Sequence, residues 1–325
     1  MKEQPPQIVG LLLIPDFALM SYACVVEPLR AANLMAGREI YRWVHVSSRE
    51  KSVTASCGAA VPCPATIRQV GKLDLLLVCA GGEPANFQDA ATLAWLRRLA
   101  VSGTRVGGVS GGPFILAKAG IMDGIRMTIH WRHAPAVLEA YPKVLLTRSL
   151  FVIDRNRLTC AGGTAPLDMM HALIAESHGI ELARKVSDWF LHTEIRSARG
   201  AQRASAAERY GVHNAPLVAA LELMEKHSGM PLRRTEVAQR VGLSTRQLDR
   251  LFSGKLKRSF QNHYRAIRLQ RSRELLNQTS ATIAEIAVAC GFSSASHFTR
   301  AYRENYGSPP SEDRDTRRAI DARAV

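Results

Sequence analysis

The chain has 325 residues and a basic balance, 43 Lys+Arg against 28 Asp+Glu, giving a formal charge of +15 and a pI near 10.0. At roughly 100–200 residues per domain, this length predicts two domains and excludes a disulfide-stapled mini-protein. Its 46% apolar and 22% charged residues exclude a disordered or fibrous chain, and the excess charge points to nucleic acid, an anionic membrane or an acidic ligand as partner.

Residues 1–6 have no basic stretch ahead of an apolar one, so no secretory signal is expected. The longest apolar runs, 8–14 and 75–80, fall far short of the ~20 residues that span a bilayer, so no membrane partner is expected either. Cys24, Cys57, Cys63, Cys79, Cys160 and Cys290 are scattered without a CxxC pair or zinc spacing. Reduced, partly buried thiols in a cytoplasmic protein follow, with neither metal site nor cofactor.

From residue 8 to about 179, strand-like and helix-like patterns alternate. Strands are expected at 8–14, 41–47, 73–79, 105–109 and 151–154, and helices at 21–36, 86–100, 112–119, 130–140 and 164–178. In the first helix Ala23, Val26, Leu29 and Ala32 recur at three- and four-residue spacing, and Thr164 is placed to cap the last. Such alternation implies a mainly parallel sheet covered on both faces, an α/β sandwich. Strand signals stop at Ile180. Residues 196–210 are rich in Arg, Ala and Ser with little apolar periodicity, as in an interdomain linker or an exposed helix end, and a helix at 216–227 leads into an all-helical region. The expected domains are thus 1–195, a linker at 196–211, a second domain at 212–315 and a tail at 316–325.

Residues 231–310 hold 14 Lys+Arg and 5 Asp+Glu, a net of +9 on a quarter of the chain. They also contain a repeat. Glu236-Val237-Ala238 with Gly242-Leu243-Ser244 matches Glu285-Ile286-Ala287 with Gly291-Phe292-Ser293 at an offset of 49. Leu248, Arg250 and Phe252 then match Phe298, Arg300 and Tyr302 at an offset of 50. Each part suits a helix-turn-helix: the alanines allow close helix approach, the glycines take a left-handed position, and Ser244 with Ser293 or Ser294 caps the second helix. Residues four apart face the core and leave the opposite stripe free for a groove. The helix expected at 259–276, with Phe260, Tyr264, Ile267 and Leu275 on one face, spans ~27 Å, suited to placing two reading helices in grooves ~34 Å apart.

This stretch, about 217–314, resembles the DNA-binding domain of the AraC/XylS family of transcription regulators. The resemblance is carried by residues 244–252, Arg268-Leu269, residues 283–293 and 298–302, and Gly307-Ser308-Pro309-Pro310. It implies double-stranded DNA as partner, contacted by Ser244, Thr245, Arg246, Asp249 and Arg250 of one reading helix and by Ser294, Ala295, Ser296, His297, Thr299 and Arg300 of the other. Arg246 has the fork to pair bidentately with guanine. The alternative for Arg250 and Arg300 is an internal ion pair with Glu236 or Glu285.

In the front half, Gly108-Val109-Ser110-Gly111-Gly112 satisfies G-x-S-x-G between an expected strand and helix, the context of a nucleophile elbow. A Ser110 nucleophile would need a base, with His130 and His133 nearest in sequence, and an acid from Asp123, Glu27 or elsewhere; a serine hydrolase or amidase is the alternative function. Residues 7–190 resemble the PfpI-like members of the class I glutamine amidotransferase-like superfamily, a flavodoxin-like fold. The resemblance rests on residues 14–17, Glu27-Pro28-Leu29, Gly81-Gly82, residues 109–113, 119–124 and 128–131, and Cys160-Ala161-Gly162-Gly163. Those enzymes carry Cys at the elbow, where this chain has Ser110, and an acid where it has Ser21, so the resemblance implies a fold without its catalysis. The two halves together are similar to the GlxA-type regulators, and Glu27–Asn33 with residues 159–163 to the regulators of carnitine, choline/glycine betaine and arginine catabolism. An activator of a catabolic operon is implied, homodimeric, acting with RNA polymerase and sensing an amine, betaine or amino-acid-like effector. Phe17, Glu27, Ser110, Gly111, His130 and Trp131 are its candidate pocket, with ring faces and a carboxylate for an ammonium group.

Overall fold

A computed structural model describes residues 5–315, so the expected tail lies outside the described residues. The chain divides into two compact units between Gln202 and Arg203. In the first unit the strands are β1 (Gln7–Leu13), β2 (Tyr41–Ser47), β3 (Ser52–Thr54), β4 (Ala60–Pro62), β5 (Ala65–Thr66) and β6 (Leu75–Ala80). They continue with β7 (Arg105–Ser110), β8 (Arg126–Met127), β9 (Leu145–Leu146), β10 (Phe151–Asp154) and β11 (Arg157–Cys160). Its helices are α1 (Leu19–Ala36), α2 (Ala90–Val101), α3 (Gly112–Lys118), α4 (Ala134–Ala140), α5 (Ala165–His178) and α6 (Ile180–Trp189).

Seven strands form one sheet in the order β10-β11-β7-β6-β1-β2-β5. All neighbours are parallel except β10 and β11. Because successive strand residues point to opposite faces, the apolar runs in β1 and β6 feed two cores. Leu11, Leu13, Leu77 and Cys79 join Val25, Leu29, Met169 and Ile174 on one side. Leu12, Leu76 and Val78 join Trp95, Leu96, Phe114 and Ile115 on the other. This is the α/β sandwich expected from the sequence.

Local differences have local causes. The helix expected at 130–140 begins only at Ala134, after a turn in which His133 N donates to His130 O at 2.9 Å. The one expected at 86–100 separates into a 3-10 turn at Pro84–Asn86 and α2, which Asp89 caps by accepting from Ala91 N. Thr164 stands at the N-cap of α5 without making the cap bond, and its hydroxyl accepts from Arg196 Nη2 at 3.0 Å. Strand β11, absent from the sequence reading, is the antiparallel partner of β10. Five cysteines are buried and Cys57 is exposed. Among the described residues no cluster of His, Cys, Asp or Glu is arranged to hold a metal ion, and no helix is long and apolar enough to cross a membrane.

The second unit contains α7 (Ala206–Tyr210), α8 (Ala215–Lys226), α9 (Arg234–Arg240), α10 (Thr245–Leu251), α11 (Phe260–Gln278), α12 (Ile283–Ala289) and α13 (Ala295–Tyr306). It has two cores. Leu217, Leu221, Val237, Leu248, Phe252 and Phe260 fill one; Leu276, Ile286, Phe298 and Tyr302 fill the other. Full burial of such side chains stabilises by roughly 1.5–3 kcal/mol each, which fastens α7 through α10 to one part of α11, and α12 with α13 to the other. That helix is ~28 Å long at 1.5 Å per residue. The stretch at 196–210 divides between the two units: 196–202 lies on the first, and α7 belongs to the second.

Candidate nucleic-acid interface and effector cleft

The two copies of the repeat close in the same way. Gly242 and Gly291 both sit at φ +69°, where a β-carbon is disfavoured, and let the chain turn from α9 into α10 and from α12 into α13. Ser244 Oγ accepts from Gln247 N at 3.2 Å and Ser294 Oγ from His297 N at 3.1 Å. These hydroxyls act as N-caps that set the start of each reading helix. Of the two serines considered for the second cap, Ser294 fills it, and Ser293 Oγ lies 3.3 Å from His297 Nδ1.

Leu248 and Phe298 are fully buried, as are Phe252 and Tyr302. The opposite stripe is therefore free. Arg246 and Arg250 are exposed on α10, as are Ser296, His297 and Arg300 on α13; Thr245, Ala295 and Thr299 are half-buried beside them. Neither Arg250 nor Arg300 makes the internal ion pair considered for it. Glu236 accepts from Arg233 N and Glu285 from Thr282 N, both at 2.6 Å, so each carboxylate is occupied at its own helix start. Asp249 is not an open acceptor: it pairs with Arg234 Nη1 at 2.8 Å.

Two cations escaped the sequence reading. Arg234 is identified only by its Asp249 partner, whereas Arg303 follows Arg300 by three residues and could have been found from helical spacing. Alongside α13 runs an open groove of about 750 Å³, lined by Ala295, Ser296, Thr299, Arg300, Arg303, Glu304 and Gly307. Arg268 of α11 fixes this reader. Its guanidinium donates to Cys290 O at 2.8 Å and Gly291 O at 2.7 Å and stacks 4.1 Å from the Phe292 ring centre.

The second candidate site lies in the first unit, at the carboxyl ends of β1, β6 and β7, where the sheet order reverses and open α/β sheets form crevices. Ser110 ends β7 in the left-handed region at φ +59°. A β-carbon on Gly162 would lie 2.7 Å from Ser110 Cβ, and one on Gly112 would lie 2.0 Å from Val78 O, so the elbow closes only around glycine. Ser21 Oγ faces Gly163 O at 3.5 Å, which brings Ser21 and the Gly162–Gly163 turn to Ser110. His130 N approaches Ser110 O at 3.5 Å, and the His130 and Trp131 rings stand 5.3 Å apart. Gly111 lies against Pro84, and the adjoining Glu83 pairs with Arg132 at 3.2 Å. Glu83 and Arg132 were not singled out in the sequence, because their meeting depends on two loops 49 residues apart.

Ser110, Gly111, His130 and Trp131 thus share one neighbourhood, but two other pocket candidates do not join it. Phe17 has no exposed surface and packs edge-on to Tyr22 with centroids 5.3 Å apart, as a core residue. Glu27 lies six residues beyond Ser21, about 9 Å along α1, and pairs with Arg30 at 2.7 Å.

Among the described residues no hydrogen bond joins Ser110 Oγ to a histidine or carboxylate side chain. His130 Nδ1 accepts from Arg132 N at 3.3 Å, and burial together with the Arg132 charge lowers the imidazole pKa. Nearby thiols do not replace the absent nucleophile, since burial pushes Cys79 and Cys160 up to about 12.

A thiol-free elbow on a mainly parallel sheet, joined in one chain to paired helix-turn-helices, defines a transcription regulator built from an enzyme-like α/β domain and a double reader. Residues 9–176 match the DJ-1/PfpI family and residues 237–316 a helix-turn-helix domain. The chain is 47% identical over 305 residues to the HTH-type transcriptional regulator GlxA of Rhizobium meliloti, covering 94% of each. It is 42% identical to the HTH-type transcriptional regulator CdhR of Pseudomonas aeruginosa, covering 93% of this chain and 90% of the relative. The crystal structure of an AraC family transcriptional regulator from Pseudomonas putida superposes with a TM-score of 0.53 at 25% identity, covering 57% of this chain and all of that one. The chain belongs to the AraC/XylS-type helix-turn-helix regulators that carry a DJ-1/PfpI-like domain, the GlxA type.

Proposed function

We propose that this sequence-specific DNA-binding transcription regulator reads its operator through the outer faces of α10 and α13 and senses a small metabolite in the cleft over Ser110. The observation that carries the reading is the duplicated, identically closed helix-turn-helix with its polar, basic outer stripes. Arg246, Arg250, Arg300 and Arg303 supply the cations, with Arg246 the candidate for bidentate guanine recognition. For the cleft, an amine, betaine or amino-acid-like effector suits a mouth that offers the Glu83 carboxylate, the Arg132 guanidinium and the Trp131 ring. The regulator works in the cytoplasm as a homodimer, since two-fold assembly matches operator half-sites, and activates a catabolic operon through RNA polymerase.

Selection of duplexes from a random library tests the DNA reading. Wild-type protein is expected to enrich one motif, and Arg246→Ala to relax preference at one base position by about 1–3 kcal/mol. A flat profile for both proteins refutes it. The cleft is tested by a thermal-shift screen against amines, betaines and amino acids: a true effector at 100 times its Kd stabilises by about 2.7 kcal/mol.

A further inference from the structure

Residues 196–202 are fastened to the first unit at three places. The Arg196 guanidinium donates to Asp168 and to Thr164, the residue after the Gly162–Gly163 turn. Leu150 N donates to Ala198 O at 2.8 Å, while Leu150 O accepts from Ala161 N at 2.8 Å, one residue before Gly162. Gln202 Nε2 donates to Thr128 Oγ1 at 2.9 Å, Ile129 O at 3.1 Å and Ser149 O at 2.8 Å. The two carbonyls decide the orientation of that amide, because the flipped form would set oxygen against oxygen. Gln202 Oε1 is then left buried without a hydrogen-bond partner, so the last fastening is a compromise rather than a fully satisfied lock.

The fastenings converge on the site already described. On one side Gly162, between Ala161 and Thr164, lies against Ser110. Thr128 and Ile129 lead into His130, whose N–H meets Ser110 O, on the other. Both loops that flank the elbow are therefore held by one short segment. Only Arg203 and Ala204 separate Gln202 from Ser205, the capping-box residue that opens α7. In the second unit α7 is fixed by Arg209 and Tyr210 to Glu225 and by Tyr210 against the His263 ring.

We infer that residues 196–202 are a sensing strap, which occupancy of the Ser110 cleft detaches at Ala198 and Gln202 by displacing the loops they bind. This rests on the cleft reading above and supplies its regulation. With the strap docked, Arg203 and Ala204 span the interval from its last fastening to α7, a reach of ~7 Å; released back to Arg196, eight residues span it, a reach of ~27 Å. Effector binding thereby lengthens the chain between the last fastening and α7 from two residues to eight. Linkage requires the converse as well: weakening the strap alters the cleft.

The test uses full-length protein and trypsin, which cuts after Arg199 when the strap is free. In a Cys57→Ser background, Ser110→Cys places a thiol at the elbow, and iodoacetamide then puts a carbamidomethyl group into the cleft. Alkylation is expected to speed cleavage after Arg199 at least fivefold, and Gln202→Ala to do so without alkylation. In the reverse direction, Gln202→Ala is expected to change the alkylation rate of the substituted thiol at least threefold. Unchanged cleavage on a verified adduct, together with an unchanged alkylation rate, overturns the strap. If the adduct itself unfolds, as read by tryptophan fluorescence, the reverse arm decides alone. No metabolite takes part, so a failed effector screen leaves the strap standing, and equal rates refute the strap while leaving the cleft reading intact.

Discussion

Asp168 is the most consequential buried charge in the first unit. Its carboxylate has no solvent exposure and accepts four hydrogen bonds: His192 Nε2 at 2.9 Å, and Arg196 N at 2.8 Å, Nε at 3.0 Å and Nη2 at 2.6 Å. Asp168→Ala deletes the acceptor and strands the guanidinium. Breaking a buried pair by removing one partner costs about 3–5 kcal/mol. Arg196 keeps 39% of its side-chain exposure, so water compensates part of that loss, and about 2–4 kcal/mol is expected. For a unit of this size each kcal/mol moves Tm by roughly 2–4 °C, giving a fall of about 4–16 °C. Trp43, Trp95, Trp131 and Trp189 all lie before residue 203, so tryptophan fluorescence, excited apart from tyrosine, reports this unit alone in the intact chain. A loss below about 0.5 kcal/mol, the range of ordinary surface substitutions, would refute the argument that the carboxylate anchors residues 192–196.

Two further outcomes concern the helical unit. His263 is buried between Tyr210 and Phe252, and burial, then the Arg258 charge, lower its pKa while Glu225 opposes them. The folded state thus holds it neutral while the unfolded chain takes up a proton near pH 6.5; stability is full above that value and declines as pH falls through it. Hydrogen exchange across α11, corrected for intrinsic rates, should show protection dropping from pH 7.5 to 5.5, and His263→Phe should flatten the drop; equal slopes in both proteins contradict it. Arg268→Met removes two charge-assisted bonds to Cys290 O and Gly291 O, at about 3–6 kcal/mol together. DNase footprints of this variant should fade over the half-site read by α13 and persist over that read by α10; uniform fading across both would contradict the assignment.

The reader was legible in the sequence because a helix-turn-helix is specified locally. Gly242 and Gly291, the caps at Ser244 and Ser294, and the buried pairs Leu248/Phe252 and Phe298/Tyr302 all act within a few residues, so spacing alone reveals them. The sandwich was legible for a similar reason, since continuous apolar strands such as β1 and β6 require cover on both faces. The cleft was less so. Ser110 and its glycines are a local motif, but Phe17 and Glu27 were assigned by type, and type does not say which way a side chain faces.

The two-part architecture, the absence of an elbow thiol and a basic duplicated reader all follow from residue order alone. Only the tertiary structure decided that Glu83 meets Arg132, that Asp249 is paired with Arg234, and that Arg196 and Gln202 tie a linker-like stretch to both walls of the elbow. The physical reason is separation along the chain. Caps and turns are settled by neighbours three or four residues away, whereas these contacts join residues 15–74 positions apart, through backbone carbonyls and carboxylates that no local pattern marks.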